Sequence, residues 1–248
     1  MCENVNKYLK PSHQSVVPRI SRRAMLRGAV AASAIGVATK NIAAEDQQLT
    51  ISKKSDEALT PQDALKKLYD GNLRFANGKS LSANRDLNRV RAIAGQQKPF
   101  AAFLGCADSR VPIEFVFDQG FGDLFVTRIA GNIASSENVG SLEFGTQVLG
   151  ARVIYVLGHT QCGAVSATMR GDEVPGQISG LFQYIRPAVK EANGDLDKAI
   201  IGNVKNQAIL LAEASPVISK MIQRKELVVA GGIYDLATGK VTPVEINI

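Results

Sequence analysis

Short apolar runs of strand length alternate with helical patterns along this 248-residue chain, and this alternation restricts the possible folds more than any other feature. The runs cover residues 100–104, 124–130, 152–157 and 227–233, and each has the length of a buried strand. Helical patterns accompany them at 111–117, 138–149, 163–170, 181–193, 196–213 and 216–225. Strands that alternate with helices in this way predict an α/β fold, in which helices flank a mainly parallel β-sheet.

Two further elements complete the predicted scaffold. Thr60 and Pro61 have the residue types of a helix start, a capping hydroxyl followed by proline in the first turn. A last strand at 240–246 follows the run at 227–233 across the Ala237-Thr238-Gly239 turn, so these two strands can pair. We therefore expect residues 45–248 to form a single domain.

The positive charge of the chain lies in its first 44 residues. That segment contains seven basic residues and one acidic residue, which account for the whole formal net charge of +6. Basic and acidic residues balance in the rest of the chain, whereas a nucleic-acid-binding domain usually carries a basic surface. The composition therefore argues against a nucleic-acid partner.

Residues 1–44 resemble an export signal of the twin-arginine type. Arg22 and Arg23 precede an apolar stretch at 28–38, and Ala43 and Ala44 provide small residues near a cleavage point. The stretch is shorter than the ~20 apolar residues of a membrane span. We expect a periplasmic or exported protein after cleavage. The alternative is an N-terminal extension on a cytoplasmic protein.

Three chemically distinct side chains follow the first apolar run. Cys106, Asp108 and Arg110 alternate in the sequence "GCADSR", so an extended backbone would project them to one side. His159 and Cys162 follow the third run in "GHTQC". If the leader is removed, the mature chain retains only these two cysteines and this histidine.

The two cysteines could form a disulfide or bind a metal. The His159-x-x-Cys162 spacing favours a metal, because both side chains can reach one ion from a single turn. Thiolates and imidazole suit zinc, and the ends of adjacent parallel strands could bring Cys106 to the same place. Asp108 is a fourth candidate, which could either bind the metal or be held away from it by Arg110.

The motifs "CADSRVP", "GDLFVTRIAGN" and "HTQC" together resemble those of the β-class carbonic anhydrases. The resemblance implies that Cys106, His159 and Cys162 hold one zinc ion per chain, with Asp108 and Arg110 as an adjacent catalytic dyad. It implies that zinc-bound hydroxide attacks carbon dioxide to give bicarbonate, the carbonate dehydratase reaction.

The resemblance extends to residues outside the two motifs. Gln97 matches a glutamine that hydrogen-bonds the substrate across a dimer interface, and Phe125 and Phe144 match positions that line an apolar substrate pocket. Arg128 and Tyr234 match two parts of a non-catalytic bicarbonate pocket that some members have, but Phe103 stands where those members have tryptophan. The family also implies a homodimer or a higher even oligomer.

Two other functions remain open at this point. The same fold could hydrolyse an analogue of carbon dioxide, such as carbonyl sulfide or carbon disulfide, if the entrance to the site were reshaped. A purely structural zinc module with four ligands would instead bind a partner and catalyse nothing.

Overall fold

Five strands form one mainly parallel sheet in the computed structural model, which describes residues 59–248. The predicted leader at 1–44 lies outside these described residues. The strands are β1 (Ala101–Gly105), β2 (Leu124–Arg128), β3 (Val153–His159), β4 (Val228–Tyr234) and β5 (Val241–Val244). Their order is β2-β1-β3-β4-β5, and only β5 is antiparallel to its neighbour.

Helices flank this sheet, which confirms the predicted α/β fold. They are α1 (Pro61–Ala76), α2 (Leu87–Ala92), α3 (Ile113–Val116), α4 (Ser136–Glu143), α5 (Gly163–Arg170), α6 (Ser179–Glu191), α7 (Leu196–Ala214) and α8 (Pro216–Gln223). Thr60 caps α1 as predicted, because its hydroxyl accepts a hydrogen bond from the Asp63 amide. Among the described residues, no helix combines the length and the hydropathy of a membrane span.

Two apolar clusters cover the two faces of the sheet. Leu104 packs with Val204 of α7 on one face, and Phe103 packs with Leu68 of α1 on the other. Successive residues of a strand point to opposite faces, so a strand buried on both sides is apolar throughout. This explains why β1 and β3 are continuous apolar runs in the sequence.

The carboxyl ends of β1 and β3 lie side by side. These strands are parallel neighbours, with Gly105 opposite Leu157. The residues that follow each strand are therefore adjacent in space, although more than 50 positions separate them in the chain. Cys106 and His159 both lie at this edge of the sheet.

Two helical segments differ from the sequence prediction. The helix predicted at 138–149 is divided into α4 and a π-helical turn, Phe144–Val148. Helix α2 was not predicted, since it has six residues and buries none of them, so it leaves no apolar periodicity.

Candidate metal centre

Three potential metal ligands converge at the carboxyl edge of the sheet. The ligand atoms of Cys106, His159 and Cys162 all lie within 4.8 Å of one another, and all three residues are buried. Cys106 follows β1, His159 ends β3, and Cys162 is the residue that precedes α5. The structure therefore confirms that these three residues come together.

The imidazole of His159 is oriented for metal binding through Nε2. Its Nδ1 lies 2.9 Å from the carbonyl oxygen of Thr160, which can only accept, so Nδ1 carries the proton. In the neutral imidazole Nε2 is then the acceptor nitrogen, and it is buried with no hydrogen-bond partner among the described residues. A buried acceptor without a partner is costly, and a metal ion would supply that partner.

The pKa values of the two thiols shift in opposite directions. The pKa of Cys106 is lowered, because Cys162 donates a hydrogen bond to its sulfur and this outweighs the effect of burial. The pKa of Cys162 is raised by the same hydrogen bond and by burial. A bound cation would favour ionisation of both, and two sulfurs with one imidazole nitrogen form a donor set that suits zinc.

Asp108 lies next to this group and is paired with Arg110. The guanidinium donates through Nε to Oδ1 at 2.9 Å and through a terminal nitrogen to Oδ2 at 2.7 Å. This contact holds the pKa of Asp108 well below its usual range. Oδ2 is 3.8 Å from His159 Nε2. The carboxylate is therefore beside the ligand group, with both of its oxygens engaged by the arginine.

Arg128, the last residue of β2, and Gly131, in the loop that follows β2, support the loop that carries Cys106. The guanidinium of Arg128 donates to the carbonyl oxygens of Cys106 and Asp108. The backbone N–H of Gly131 donates to the Cys106 sulfur at 3.4 Å. Arg128 therefore supports the loop that carries Cys106. The resemblance assigns the same residue to a bicarbonate pocket.

The remaining predicted site residues lie elsewhere in the described chain. Gln97 is exposed and lines a cavity of about 640 Å³ whose lining contains none of the three ligands. Phe125 and Phe144 contact each other, with ring centroids 6.4 Å apart, at the edge strand β2. Phe125 is partly buried, whereas Phe144 is 47% exposed.

The sequence reasoning missed two buried amides of α7. Asn203 and Gln207 hydrogen-bond the loop that follows β2, through Gly131 and Ala134. The available signal was a pair of amides four residues apart on a helix face that is otherwise apolar. A buried amide needs partners, so such a pair indicates a polar contact inside the fold.

Comparison with known proteins identifies the family. Residues 101–241, more than half of the chain, match the family model described as carbonic anhydrase. A β-carbonic anhydrase of Coccomyxa, solved in complex with acetazolamide, is 27% identical with a TM-score of 0.57, covering 73% of this chain and 86% of that one. This chain belongs to the β-class carbonic anhydrases.

Curated relatives agree with this assignment. Carbonic anhydrase 2 of Mycobacterium tuberculosis is 35% identical over 188 residues, which cover 73% of this chain and 91% of the relative. Structures of two tetrameric β-carbonic anhydrases of Sordaria macrospora have been solved. One of them shares the fold of this chain with a TM-score of 0.57 and 21% identity, over 73% of this chain and 97% of that one. The protein is therefore a carbonate dehydratase, a lyase.

Proposed function

We propose that this β-carbonic anhydrase hydrates carbon dioxide reversibly with one zinc ion per chain, held by Cys106, His159 and Cys162. The observation that carries the proposal is the convergence of these three ligand atoms within 4.8 Å. A zinc ion bound there would supply a Lewis acid that makes water a nucleophile near neutral pH. A purely structural site usually has four protein ligands, whereas Asp108 is paired with Arg110 here.

Asp108 is the residue that we propose orients the attacking water. An ionised carboxylate can only accept hydrogen bonds, so Asp108 would accept one from that water. This hydrogen bond would orient the water with a lone pair directed at the carbon of carbon dioxide. Arg110 has two roles in this arrangement. It keeps Asp108 ionised, and its two hydrogen bonds hold the carboxylate in one orientation.

Gln97, Phe125 and Phe144 are proposed to contact the substrate. Carbon dioxide is apolar, so aromatic side chains such as Phe125 and Phe144 would suit its binding. Gln97 could donate a hydrogen bond to the substrate oxygen. Because Gln97 lines a cavity apart from the ligand group, we propose that it acts in the site of a second copy of the chain.

A homodimer, or a higher even oligomer, is proposed on the same grounds. Strand β2 pairs only with β1 among the described residues, which leaves one edge of the sheet without a partner strand. Phe121, Phe144 and Val148 near that edge are each about half exposed or more. Sedimentation of the purified protein tests this proposal, and a single monomeric species would contradict it.

Export through the twin-arginine route is proposed for residues 1–44. This route carries folded proteins, which suits a chain that needs to bind zinc before its thiols meet an oxidising compartment. Replacing both Arg22 and Arg23 by lysine should leave unprocessed, active enzyme in the cytoplasm. If the double variant fractionates like the wild type and the wild type retains Met1, the segment is an ordinary extension.

Stopped-flow hydration of carbon dioxide, measured beside zinc content, tests the function directly. The purified mature chain should contain one zinc ion per chain and catalyse hydration. Cys162→Ser preserves the size of the side chain but removes a thiolate ligand, so it should lose most of the zinc together with the activity. Full activity in a metal-free protein with a Cys106–Cys162 disulfide would show that the zinc proposal is wrong.

A further inference from the structure

Two buried amides of α7 hold the loop that joins β2 to α4. Asn203 and Gln207 are 1% and 2% exposed. Asn203 Nδ2 donates to the carbonyl oxygen of Gly131 at 2.9 Å, and Gln207 Oε1 accepts from the backbone N–H of Ala134 at 2.8 Å. The loop is therefore attached at two points to a helix that lies about 70 residues further along the chain.

The two amides also determine each other's orientation. Gln207 Nε2 donates to Asn203 Oδ1 at 3.1 Å and to the carbonyl oxygen of Tyr184 at 3.1 Å. Since the oxygen of Asn203 faces Gln207, its amino group is left to face Gly131. Buried polar networks whose members are all paired favour a single arrangement, so this one keeps Asn203 in place.

Gly131 connects this network to the metal group. The N–H of Asn132 donates to the carbonyl oxygen of Ile129 at 2.9 Å, which closes a turn with Gly131 as its third residue. The φ angle of Gly131 is +77°, as a type II turn requires at that position. Its own N–H points away from the turn and donates to Cys106 Sγ.

The carbonyl and the N–H of Gly131 are not independent. Only two backbone rotations lie between these groups, because the peptide units on either side are planar. A carbonyl that Asn203 holds therefore restrains the direction of the N–H that contacts the sulfur.

We propose that Asn203, supported by Gln207, is a positioning residue that holds the Gly131 N–H against the Cys106 sulfur and so adjusts the bound metal. A hydrogen bond to a ligand sulfur withdraws electron density from it, which weakens donation to the metal and strengthens the metal as a Lewis acid. The proposal rests on the proposed zinc site. It adds two residues that touch none of the three ligands.

Cobalt-substituted protein provides a readout other than activity. Cobalt(II) bound to thiolates shows a sulfur-to-metal charge-transfer band, whose energy falls when the sulfur becomes richer in electrons. Asn203→Leu removes the donor to Gly131 with little change of size, so the band should move to lower energy. Zinc affinity should fall about tenfold, at the lower end of the range for partners of ligand residues, because the loss of a fixed orientation in the ligand loop outweighs the stronger donation from the sulfur. Gln207→Met should shift the band in the same direction by less.

Asn72→Leu is the matched control. Asn72 is also buried, at 6% exposure, and it makes three hydrogen bonds to backbone groups of Val116, Gly239 and Val241. None of these hydrogen bonds involves a ligand residue or the loop that follows β2. This variant should lose stability, as Asn203→Leu does, without moving the band.

Each outcome separates the positioning proposal from the zinc proposal. A wild-type protein that binds neither cobalt nor zinc would overturn the proposed function itself. If the wild type shows the band, and Asn203→Leu leaves both its energy and the zinc affinity unchanged, then the positioning proposal is wrong. Should Asn203→Leu fail to fold, Gln207→Met decides by the same criterion. An equal shift in Asn72→Leu would also overturn the proposal, because it would reflect a general loosening.

Discussion

Replacement of Gly131 by alanine should destabilise the fold and weaken the metal centre at the same time. The φ angle of this glycine is +77°, in the left-handed region that alanine disfavours. A Cβ atom there would lie 2.7 Å from Ile185 Cδ1 and 3.3 Å from Ala164 Cβ. Ile185 is completely buried, so its methyl group can move only by disturbing the packed interior.

The expected cost has two parts. A left-handed conformation costs a residue with a Cβ about 1–2 kcal/mol. Overpacking of a buried site costs about 1–3 kcal/mol more. Gly131→Ala should therefore lower the free energy of unfolding by about 2–5 kcal/mol. Gly150→Ala is the control, since Gly150 has a φ of +82° but no atom within 4 Å of the added Cβ, and it should lose only the conformational part.

Urea-induced unfolding of both variants, compared with the wild type after removal of metal, measures these costs. Equal free energies of unfolding for Gly131→Ala and Gly150→Ala would refute the packing argument. Zinc affinity is the second measurement, because a displaced Gly131 can no longer direct its N–H at Cys106. A destabilised Gly131→Ala protein with wild-type zinc affinity would refute the link between this turn and the metal centre.

Two further predictions concern carboxylates held by arginines. Arg110→Ala should retain zinc but lose most hydration activity in the stopped-flow assay, because Asp108 is no longer held in one orientation. The control is Arg170→Ala, which removes the exposed pair with Asp172 and should leave hydration activity normal. Asp118→Asn should lower the free energy of unfolding by about 3–5 kcal/mol, since this buried carboxylate accepts hydrogen bonds from Arg74 and from two backbone amides. The control Asp70→Asn, in a surface ion pair, should lower it by less than ~1 kcal/mol. Burial alone would raise the pKa of Asp118, but these donors lower it overall. The carboxylate therefore contributes stability above its unfolded pKa of about 4, and acid titration should show that contribution being lost as the pH falls through the folded value, in the wild type but not in Asp118→Asn.

Much of the scaffold could be predicted from the sequence because the strands of a sheet covered on both faces are continuous apolar runs. The predicted bounds of the four parallel strands differ from the observed ones by one or two residues at most ends. One of these differences, at the end of β3, arises because a strand can end in a polar residue that an apolar pattern does not include. His159 is the last residue of β3, although the apolar run ends at Leu157.

The three ligands could be predicted because zinc requires particular donor types, and residues 45–248 contain only two cysteines and one histidine. The supporting contacts could not be predicted in the same way. Arg128, Asn203 and Gln207 act through backbone groups, and any residue type provides a carbonyl or an N–H. Their role therefore depends on tertiary packing, which leaves no spacing motif in the sequence.

The strand order explains why the ligands meet where they do. After β1 the chain continues into α3, which packs on the same face of the sheet as Phe103. After β3 it continues into α5 and later into α7, and α7 packs on the opposite face. Neighbouring parallel strands whose connections leave on opposite faces create a crevice between their carboxyl ends. Cys106 and His159 occupy the two sides of that crevice. Neither motif alone implies this position, since it follows from β1 and β3 being neighbours while β2, which lies between them in the sequence, is placed at the outer edge.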